Sequence, residues 1–475
     1  MTRFRLVVLT LPALALNACS MAPKYVAPVA PVPVSWPVGD AYLAQSEAAL
    51  PLVSYREIFQ DQRLQSLVEQ ALTNNRDLRV AAANLAAARA QVRVVRANQF
   101  PAIGVSGSAT RTETNGRNGG SPAAVTGDRT SFSLQGGISS FELDFFGKYA
   151  SATQAQRDTA LSTEAAARTV RLGLVADLAQ AWTDYAADKD LLEIARATAA
   201  NAERSVTLTG ARLKGGVAPR TDLRQAEQVL ETARGDVASQ TTALAQDINA
   251  IRLLVGADFD ESLLPGSLDE VNRSLAVLPA GTSSRVLLRR PDVVEAEYLL
   301  RAANADIGTA RAQLFPSISL TGLLGVASNA LSALFDKGAF STTLGGSADW
   351  SIFNAGGRVA NVEVARAQRD AALASYERAI QTAFSEVADA LADQGTLSER
   401  LRAASRFTEA ASDTARLTEA SYRQGITSSL ENLDAQRSLY SARQQEIAVR
   451  RALAGNRITL YRVLGGDQAS PAQAD

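Results

Sequence analysis

The chain contains one helix–strand passage twice. Residues 77–107 and 292–322 align without a gap at a constant offset of 215, and the identical pairs include Ala81 and Ala296, Leu85 and Leu300, Pro101 and Pro316, and Gly107 and Gly322. A second match at an offset of 209 relates Gly216 to Gly425. Internal self-similarity of this kind marks a supersecondary unit that packs against its own duplicate. The sequence therefore predicts a duplicated unit of helix, two strands and helix.

Composition favours a large helical assembly and excludes most kinds of catalytic and metal-binding site. Of 475 residues, 46% are apolar but only 6% are aromatic, which favours close helix packing through small side chains. The 48 basic and 49 acidic residues nearly cancel, so no excess of positive charge favours nucleic acid. With no His and one Cys, the chain cannot build a Ser-His-Asp or Cys-His site or a His-ligated metal site. We expect neither an enzyme nor a dissociable cofactor nor a metal.

The N-terminus has the layout of an export signal. Two arginines lie within the first five residues, residues 6–16 form an apolar run too short to span a bilayer, and the small residue Ala18 precedes Cys19. This end resembles a bacterial lipobox, which implies a signal peptide of residues 1–18 and an N-palmitoyl and S-diacylglycerol lipid on Cys19. Ser20, in place of the Asp that retains such lipoproteins in the inner membrane, favours the outer membrane. A plain signal peptide that happens to end in Cys is the alternative.

Composition changes along the chain predict six segments. Prolines at 23, 28, 31, 33 and 37 favour an extended strap or tether, and Pro/Gly clusters separate the two repeats. The predicted segments are the signal peptide, a lipidated Pro-rich segment (19–54), a first repeat (55–256), an inter-repeat linker (257–284), a second repeat (285–466) and a tail (467–475).

Two proline-free stretches predict very long helices. Residues 148–212 and 358–423 read as helix throughout, and each would extend about 100 Å at the α-helical rise. Shorter helices flank them, predicted at 67–99, 221–255, 290–314 and 429–464. In each repeat the two short helices, stacked end to end, would match one long helix. The second repeat falls a few residues short, so irregular structure is expected at its junction.

Four stretches alternate apolar and small polar residues with the period of a strand. They are predicted at 102–112, 131–145, 317–326 and 340–353, with loops at 113–129 and 327–338. Their length of about 10 residues suits a tilted strand that crosses an outer membrane. A soluble sheet is the alternative for any one hairpin. Four strands cannot close a barrel, and open edges are not tolerated in lipid, so a membrane role requires oligomerisation.

Three further motifs carry a family resemblance. They are the run from Phe59 to Leu78, the Leu287–Asp292 segment with the Phe315–Gly322 junction, and Trp350–Arg358. These motifs occur in the same order, and at the same helix–strand junctions, as in the outer-membrane factor family of TolC-like channels. The chain resembles the NodT lipoprotein branch of that family. The similarity runs from Cys19 to about Gly466. Tyr55 stands where many relatives carry Trp, which we expect to require only a packing adjustment.

The resemblance implies an architecture and partners. The fold class is mainly α with transmembrane β: a homotrimer with a 12-strand β-barrel, continued by a 12-helix periplasmic α-barrel, with an equatorial domain. The protein would be lipid-anchored in the outer membrane and extend into the periplasm. Its partners would be a periplasmic membrane-fusion adaptor, an inner-membrane RND-type pump and outer-membrane lipid.

Five residues are predicted to convert helix to strand and back. Pro101 and Pro316 lack a backbone donor and disfavour helix in the residue before them, so they stop helices. Gly147, Gly356 and Gly357 permit the return from strand to helix.

Glycine-containing breaks at 215–219 and 424–428 predict two helical hairpins, which would form the periplasmic tip. By the resemblance, nearby residues line or latch the closed entrance; the candidates are Asp222, Tyr422, Arg423, Glu431 and Asp434. Thr427 stands where some relatives have an arginine, so Arg220 or Arg423 would have to replace that partner. The alternative for Asp222 and Glu431 is that first-turn acids only complement the helix dipole.

These observations predict a passive export duct of a tripartite efflux system for small molecules or drugs. One alternative is the same type of channel in type I protein secretion. Another is a periplasmic structural coiled coil that never enters the membrane.

Overall fold

The computed structural model describes residues 20–33, 35–42, 54–112, 129–276 and 284–466. Cys19 and most of the predicted 113–129 loop lie outside these ranges. The helices are α1 Tyr55–Ile58, α2 Gln62–Asn74, α3 Arg76–Ala97, α4 Lys148–Lys214, α5 Arg220–Val255, α6 Leu268–Ser274, α7 Pro291–Ala312, α8 Gly357–Arg423 and α9 Ser429–Val463. The strands are β1 Gly104–Thr112, β2 Arg129–Leu143, β3 Ser317–Ser328 and β4 Phe340–Asp349. No helix in the described ranges combines the length and apolarity needed to span a membrane.

The chain divides into two compact units. The first contains Ala86–Ser162, Glu297–Ser375 and the N-terminal residues up to Pro28, and the second contains Val29–Leu85, Thr163–Ala296 and Tyr376 onward. All four strands belong to the first unit. The second holds the largest buried side chains, among them Phe59, Trp182 and Tyr461. The Phe59 and Tyr461 rings meet edge to face at 5.1 Å, and the Trp182 indole donates to the Leu263 carbonyl at 3.0 Å.

The strands form one antiparallel sheet in the order β1-β2-β3-β4. β2 pairs with β3 across the two repeats, from Phe132 opposite Ser328 to Leu143 opposite Ile318, with a register shift between Ile138 and Phe141. The two outer strands, β1 and β4, are exposed along their whole length. In the described chain, the outward edge of each has no partner strand.

The long helices occur where the sequence predicts them. α4 and α8 each contain 67 residues. The prediction of a single helix over residues 67–99 is wrong, because the chain breaks into α2 and α3 at Asn75. This residue leaves the helical conformation, and its side-chain oxygen accepts from the Leu78 N–H at 3.0 Å. Asn competes for backbone hydrogen bonds in this way, which favours a cap over a helix interior.

The break at Asn75 has a counterpart in the second repeat. The Asn75 amide donates to the Leu254 carbonyl at 2.8 Å, at the end of α5. Arg290 donates to the Val463 carbonyl at 2.9 Å, at the end of α9. The donors differ by the 215 offset and the acceptors by the 209 offset. In each repeat, therefore, the side chain just before one short helix (α3 or α7) bonds the end of the other short helix (α5 or α9).

The predicted junction residues lie at the ends of helices and strands. α3 ends four residues before Pro101, and Pro316 directly precedes β3. Gly147 and Gly356 have φ of 71° and 85°, a conformation that disfavours a Cβ, and they precede α4 and α8. Gly357 is the first residue of α8.

The predicted inter-repeat linker is not a bare connection. It contains a short 3₁₀ turn, Glu261–Leu263, and the helix α6. The Asp190 carboxylate accepts from the Leu268 N–H at 3.0 Å, which ties α6 to α4. Arg450 pairs with Asp269 at 2.9 Å and ties it to α9.

Candidate functional site

The two hairpin turns of the second unit are built alike. In the α4–α5 turn the Val217 N–H donates to the Arg212 carbonyl at 3.0 Å, and in the α8–α9 turn the Ile426 N–H donates to the Ser421 carbonyl at 2.9 Å. The glycine before each donor is left-handed, as helix C-termini favour. Each turn leaves an apolar side chain exposed, Val217 by 73% and Ile426 by 76%.

Tyr422 connects the two hairpins. Its side chain is only 5% exposed, although it lies one turn from the hairpin end. The Arg212 guanidinium lies 4.7 Å from the centre of the Tyr422 ring, and Arg212 Nη1 donates to the Tyr422 carbonyl at 3.4 Å. The hydroxyl groups of Tyr422 and Thr209 are 3.4 Å apart. The last turn of α4 thus holds the last turn of α8 through an aromatic ring.

The groups that surround the Tyr422 hydroxyl lower its pKa. Burial raises the pKa of Tyr422, but hydrogen bonds with Thr209, Arg212 and Ser429 outweigh it, so the pKa lies below its ordinary value. The positive charge of Arg212 adds to this lowering. The neighbouring hydrogen bonds and the positive charge thus stabilise the ionised form of this buried phenol.

The charged candidates are exposed or half-buried, and each described contact stays within its own hairpin. Arg423 pairs with Glu419, and Asp434 pairs with Arg437 at 3.4 Å. The Glu431 N–H donates to the N-cap Ser428 hydroxyl, and Asp222 lies half-buried in the first turn of α5. Among the contacts of the described residues, none joins two of these charged candidates.

Sequence reasoning missed Arg212. The residue at the equivalent position of the second repeat is Ser421, and the residue equivalent to Tyr422 is Leu213. Both members of the contact are thus departures from the internal repeat, and a comparison of the two copies could have singled them out.

The Pro-rich segment is an ordered strap over its described parts. In the first unit it lies along α7: the Met21 carbonyl accepts from Arg311 at 3.1 Å and the Pro23 carbonyl from Asn304 at 2.7 Å. A Cβ on Gly308 would come within 2.7 Å of the Ala22 nitrogen, so the strap needs this glycine. The described strap begins at Ser20, directly after the predicted lipidation site.

Further along, in the second unit, the strap is held by an aromatic contact. The Pro33 carbonyl accepts from the Ser284 hydroxyl at 2.6 Å. Trp36 is buried, and its ring stacks on Phe384 of α8 at 5.0 Å. Burial of a tryptophan contributes substantially to such docking.

Comparison with known proteins gives a consistent result. The family model for outer membrane efflux proteins matches residues 67–257 and 282–466. The chain is 41% identical over 461 residues to the antibiotic efflux pump outer membrane protein ArpC of Pseudomonas putida, covering 96% of this chain and 94% of that protein. It is 38% identical over 456 residues to the cation efflux system protein CusC of Escherichia coli K12, with coverage of 96% and 97%.

Solved structures agree with the sequence comparison. The crystal structure of the open state of the MtrE outer membrane channel of Neisseria gonorrhoeae has a TM-score of 0.82 and 32% identity, covering 94% of this chain and 98% of that one. The duplicated helix–strand–strand–helix unit and the paired hairpins are therefore those of a known channel architecture, and the chain belongs to the outer membrane efflux protein family.

Proposed function

We propose that three copies of this chain form one outer-membrane channel that serves as the passive exit duct of a tripartite efflux system. The main support is the four-stranded sheet, in which the outer edges of β1 and β4 have no partner strand within the described chain. The proposal is also supported by membership of the outer membrane efflux protein family. Energy and most of the selectivity then belong to the partner pump.

The strand order supports closure by identical copies. In an antiparallel sheet of four strands, β1 and β4 run in opposite directions. The β4 edge of one copy can therefore continue the antiparallel ladder on the β1 edge of the next. Unpaired edge groups cost several kcal/mol each in lipid, so a closed arrangement is strongly favoured there. Three copies give the 12 strands of the expected barrel.

The hairpin turns supply a contact surface for the periplasmic adaptor. Val217 and Ile426 are exposed apolar residues on two equivalent turns, so a trimer presents six of them. Isolated exposed apolar side chains need no explanation, but six of them brought together at one end of a trimer would form an apolar surface suited to a protein partner. The adaptor would in turn connect the duct to an inner-membrane RND-type pump.

The Tyr422–Arg212 contact is the candidate latch of the resting entrance. It holds the two hairpins of one chain together, and threefold symmetry would repeat Glu431 and Asp434 around the axis. Rings of carboxylates favour cations in a pore. Asp222 and Arg423 remain candidate members of the same entrance.

Lipid on Cys19 would add to membrane attachment. The Met21 and Pro23 carbonyls of the strap accept hydrogen bonds from α7, so a lipid on Cys19 would be attached close to this helix. One acylated cysteine gives weaker attachment than a membrane-spanning structure.

Composition argues against a metal-binding relay in this chain. ArpC is named for antibiotic efflux and CusC for cation efflux. This chain has no His and only two Met, both in the first 21 residues. It therefore lacks the soft ligands that a metal relay requires, although an inert conduit could carry metal ions.

Co-purification tests the proposal. The tagged chain should be cross-linked in intact cells, recovered from the outer-membrane fraction as a trimer, and its partners identified by mass spectrometry. We expect an adaptor and an RND-type pump. A partner ATPase of a protein-secretion system would favour the type I alternative, and recovery only from soluble periplasm would favour the structural coiled coil.

A further inference from the structure

The sheet of the first unit carries exposed apolar side chains where its strands join the helices. α3 leads into β1, β2 into α4, α7 into β3 and β4 into α8, so all four junctions lie at one end of the antiparallel sheet. A large apolar residue is exposed at each junction. These residues are Ile103, Phe145, Phe315 and Trp350, and we call them the junction band.

Each of the four helices carries a cation in the turn next to the junction band. Arg96 and Arg311 lie in the last turns of α3 and α7, where the negative end of the helix dipole accounts for them. Lys148 is the first residue of α4 and Arg358 is the second of α8, and neither first turn contains an acid. A cation at a helix N-terminus opposes the dipole, so helix stability does not explain these two residues.

Lys148 and Arg358 line the same cavity of about 240 Å³, together with Glu142 and Asp144. The Lys148 ammonium group pairs with the Glu142 carboxylate at 3.0 Å, and Asp144 accepts from a backbone N–H of α4 at 2.8 Å. The Arg358 guanidinium donates to the Ser351 carbonyl at 3.5 Å. Among the described residues no carboxylate pairs with Arg358, so its charge remains available to an anionic ligand.

The strap gives an independent indication of where the membrane boundary lies. The Met21 carbonyl accepts from Arg311 at 3.1 Å, two residues after the predicted lipidation site Cys19. A lipid on Cys19 would therefore enter the membrane at the level of the junction band.

We propose that the four junction cations, Arg96, Lys148, Arg311 and Arg358, bind the phosphate groups of anionic phospholipids in the periplasmic leaflet of the outer membrane. The inference rests on the proposed channel, whose helices extend into the periplasm. Cations beside an exposed apolar band match a lipid surface, where charged headgroups adjoin acyl chains. Three of the four cations are arginines, whose planar donors match the oxygen atoms of a phosphate group.

Trp350 is a natural reporter of the lipid at this boundary. It is the exposed one of the three tryptophans in the chain, because Trp36 and Trp182 are buried. Its indole N–H donates to the Leu314 carbonyl at 3.1 Å, and Arg358 donates to the carbonyl of the next residue. Quenching of tryptophan fluorescence by a brominated lipid therefore measures which lipid lies beside the junction cations.

The purified protein should be reconstituted with brominated phosphatidylglycerol or, at the same mole fraction, with brominated phosphatidylcholine. We expect the anionic lipid to quench Trp350 several-fold more effectively at low salt, because each cation near the surface attracts it. Arg96→Gln combined with Arg358→Gln should remove most of this preference. Arg79→Gln combined with Arg378→Gln is the matched control and should keep it, because both are exposed arginines further along α3 and α8.

Equal quenching by the two lipids in the wild type would overturn the proposal, as would a preference that survives loss of Arg96 and Arg358. Either result would leave the proposed channel intact. Quenching by neither lipid would also overturn the proposal. Conductance of the same preparation in a planar bilayer then separates the two causes: retained conductance means that a neighbouring copy covers the junction band, and lost conductance contradicts the channel itself.

Discussion

At the scale of single residues, Tyr422 and Arg212 hold the two hairpins of one chain together. The ring is buried, and the guanidinium lies on its face at 4.7 Å. A cation–π contact of this kind contributes about 1–2 kcal/mol where it is partly desolvated. A contact of that size can be broken without unfolding the chain, which suits a latch.

Arg212→Ala should loosen the latch. Loss of the cation–π contact and of the hydrogen bond to the Tyr422 carbonyl should raise the resting single-channel conductance while the trimer yield is unchanged. Arg224→Ala is the matched control, because Arg224 pairs only with Glu227 on its own helix in the described contacts. Equal conductance of the two variants would remove Arg212 from the gate.

Replacing Glu431 and Asp434 together with Ala tests the acidic ring. If three copies face the axis, the double variant should lose cation preference in a planar bilayer and change its resting conductance, because the charge that selects cations is gone. Both residues are exposed, so folding should not suffer. An unaltered ion preference would mean that these acids only complement the start of α9, and Asp222 and Tyr422 would be tested next.

Cys19→Ser should abolish incorporation of labelled palmitate but leave some folded trimer, since the proposed barrel binds the membrane far more strongly than one lipid group. Gel autoradiography measures the label. Equal labelling of the variant would contradict lipidation at this position.

Among the secondary-structure elements, the helix ends at the two repeat junctions are held together by buried side chains, Asn75 in the first repeat and Arg290 in the second. Arg290 is 8% exposed, and it pairs with Asp292 and Glu386 at 2.7 Å each while it donates to the end of α9. Asn75 makes the equivalent contact in the first repeat with a neutral amide. The two repeats thus make the same contact with different groups, a neutral amide in the first and a guanidinium in the second. Loss of the guanidinium should cost more, because it also removes the partner of two carboxylates.

Arg290→Met should lower the free energy of unfolding by about 2–4 kcal/mol, because it leaves a terminal carbonyl and two carboxylates without their donor. Denaturant unfolding followed by circular dichroism measures the change. The neighbouring exposed Arg289→Met should stay within about 0.5 kcal/mol of wild type. Similar losses in both variants would contradict the role of Arg290 in the junction.

Helix periodicity and the internal repeat predict the long helices and the strand positions, because those patterns are local. They do not predict the break at Asn75 or the α6 helix of the linker. Both depend on tertiary partners: Asn75 leaves the helix to bond the end of α5, and α6 is held by Asp190 and Arg450. At the candidate entrance, the sequence predicts Tyr422 through the family resemblance. The sequence marks Arg212 only as a departure from the internal repeat, and its role as the partner of Tyr422 becomes visible only in the structure, where the two hairpins meet.

At the scale of the whole molecule, one chain is an incomplete structure. Its sheet has open β1 and β4 edges that carry exposed apolar residues, among them Val105 and Leu344. Family membership and the antiparallel direction of these edges both favour closure by further copies. Every functional proposal for the entrance depends on this symmetry.

Disulfide cross-linking in intact cells tests whether the sheets of neighbouring copies close on one another. Ser106→Cys on β1 should be combined in turn with a cysteine at each position of β4. Within one chain β2 and β3 separate these strands, by about 14 Å at the usual spacing, which is beyond the reach of a disulfide. We predict that at least one pair cross-links chains into a ladder that ends at the trimer. If no pair cross-links in folded outer-membrane protein, or if the ladder continues beyond three chains, closure of the sheet by three copies is contradicted.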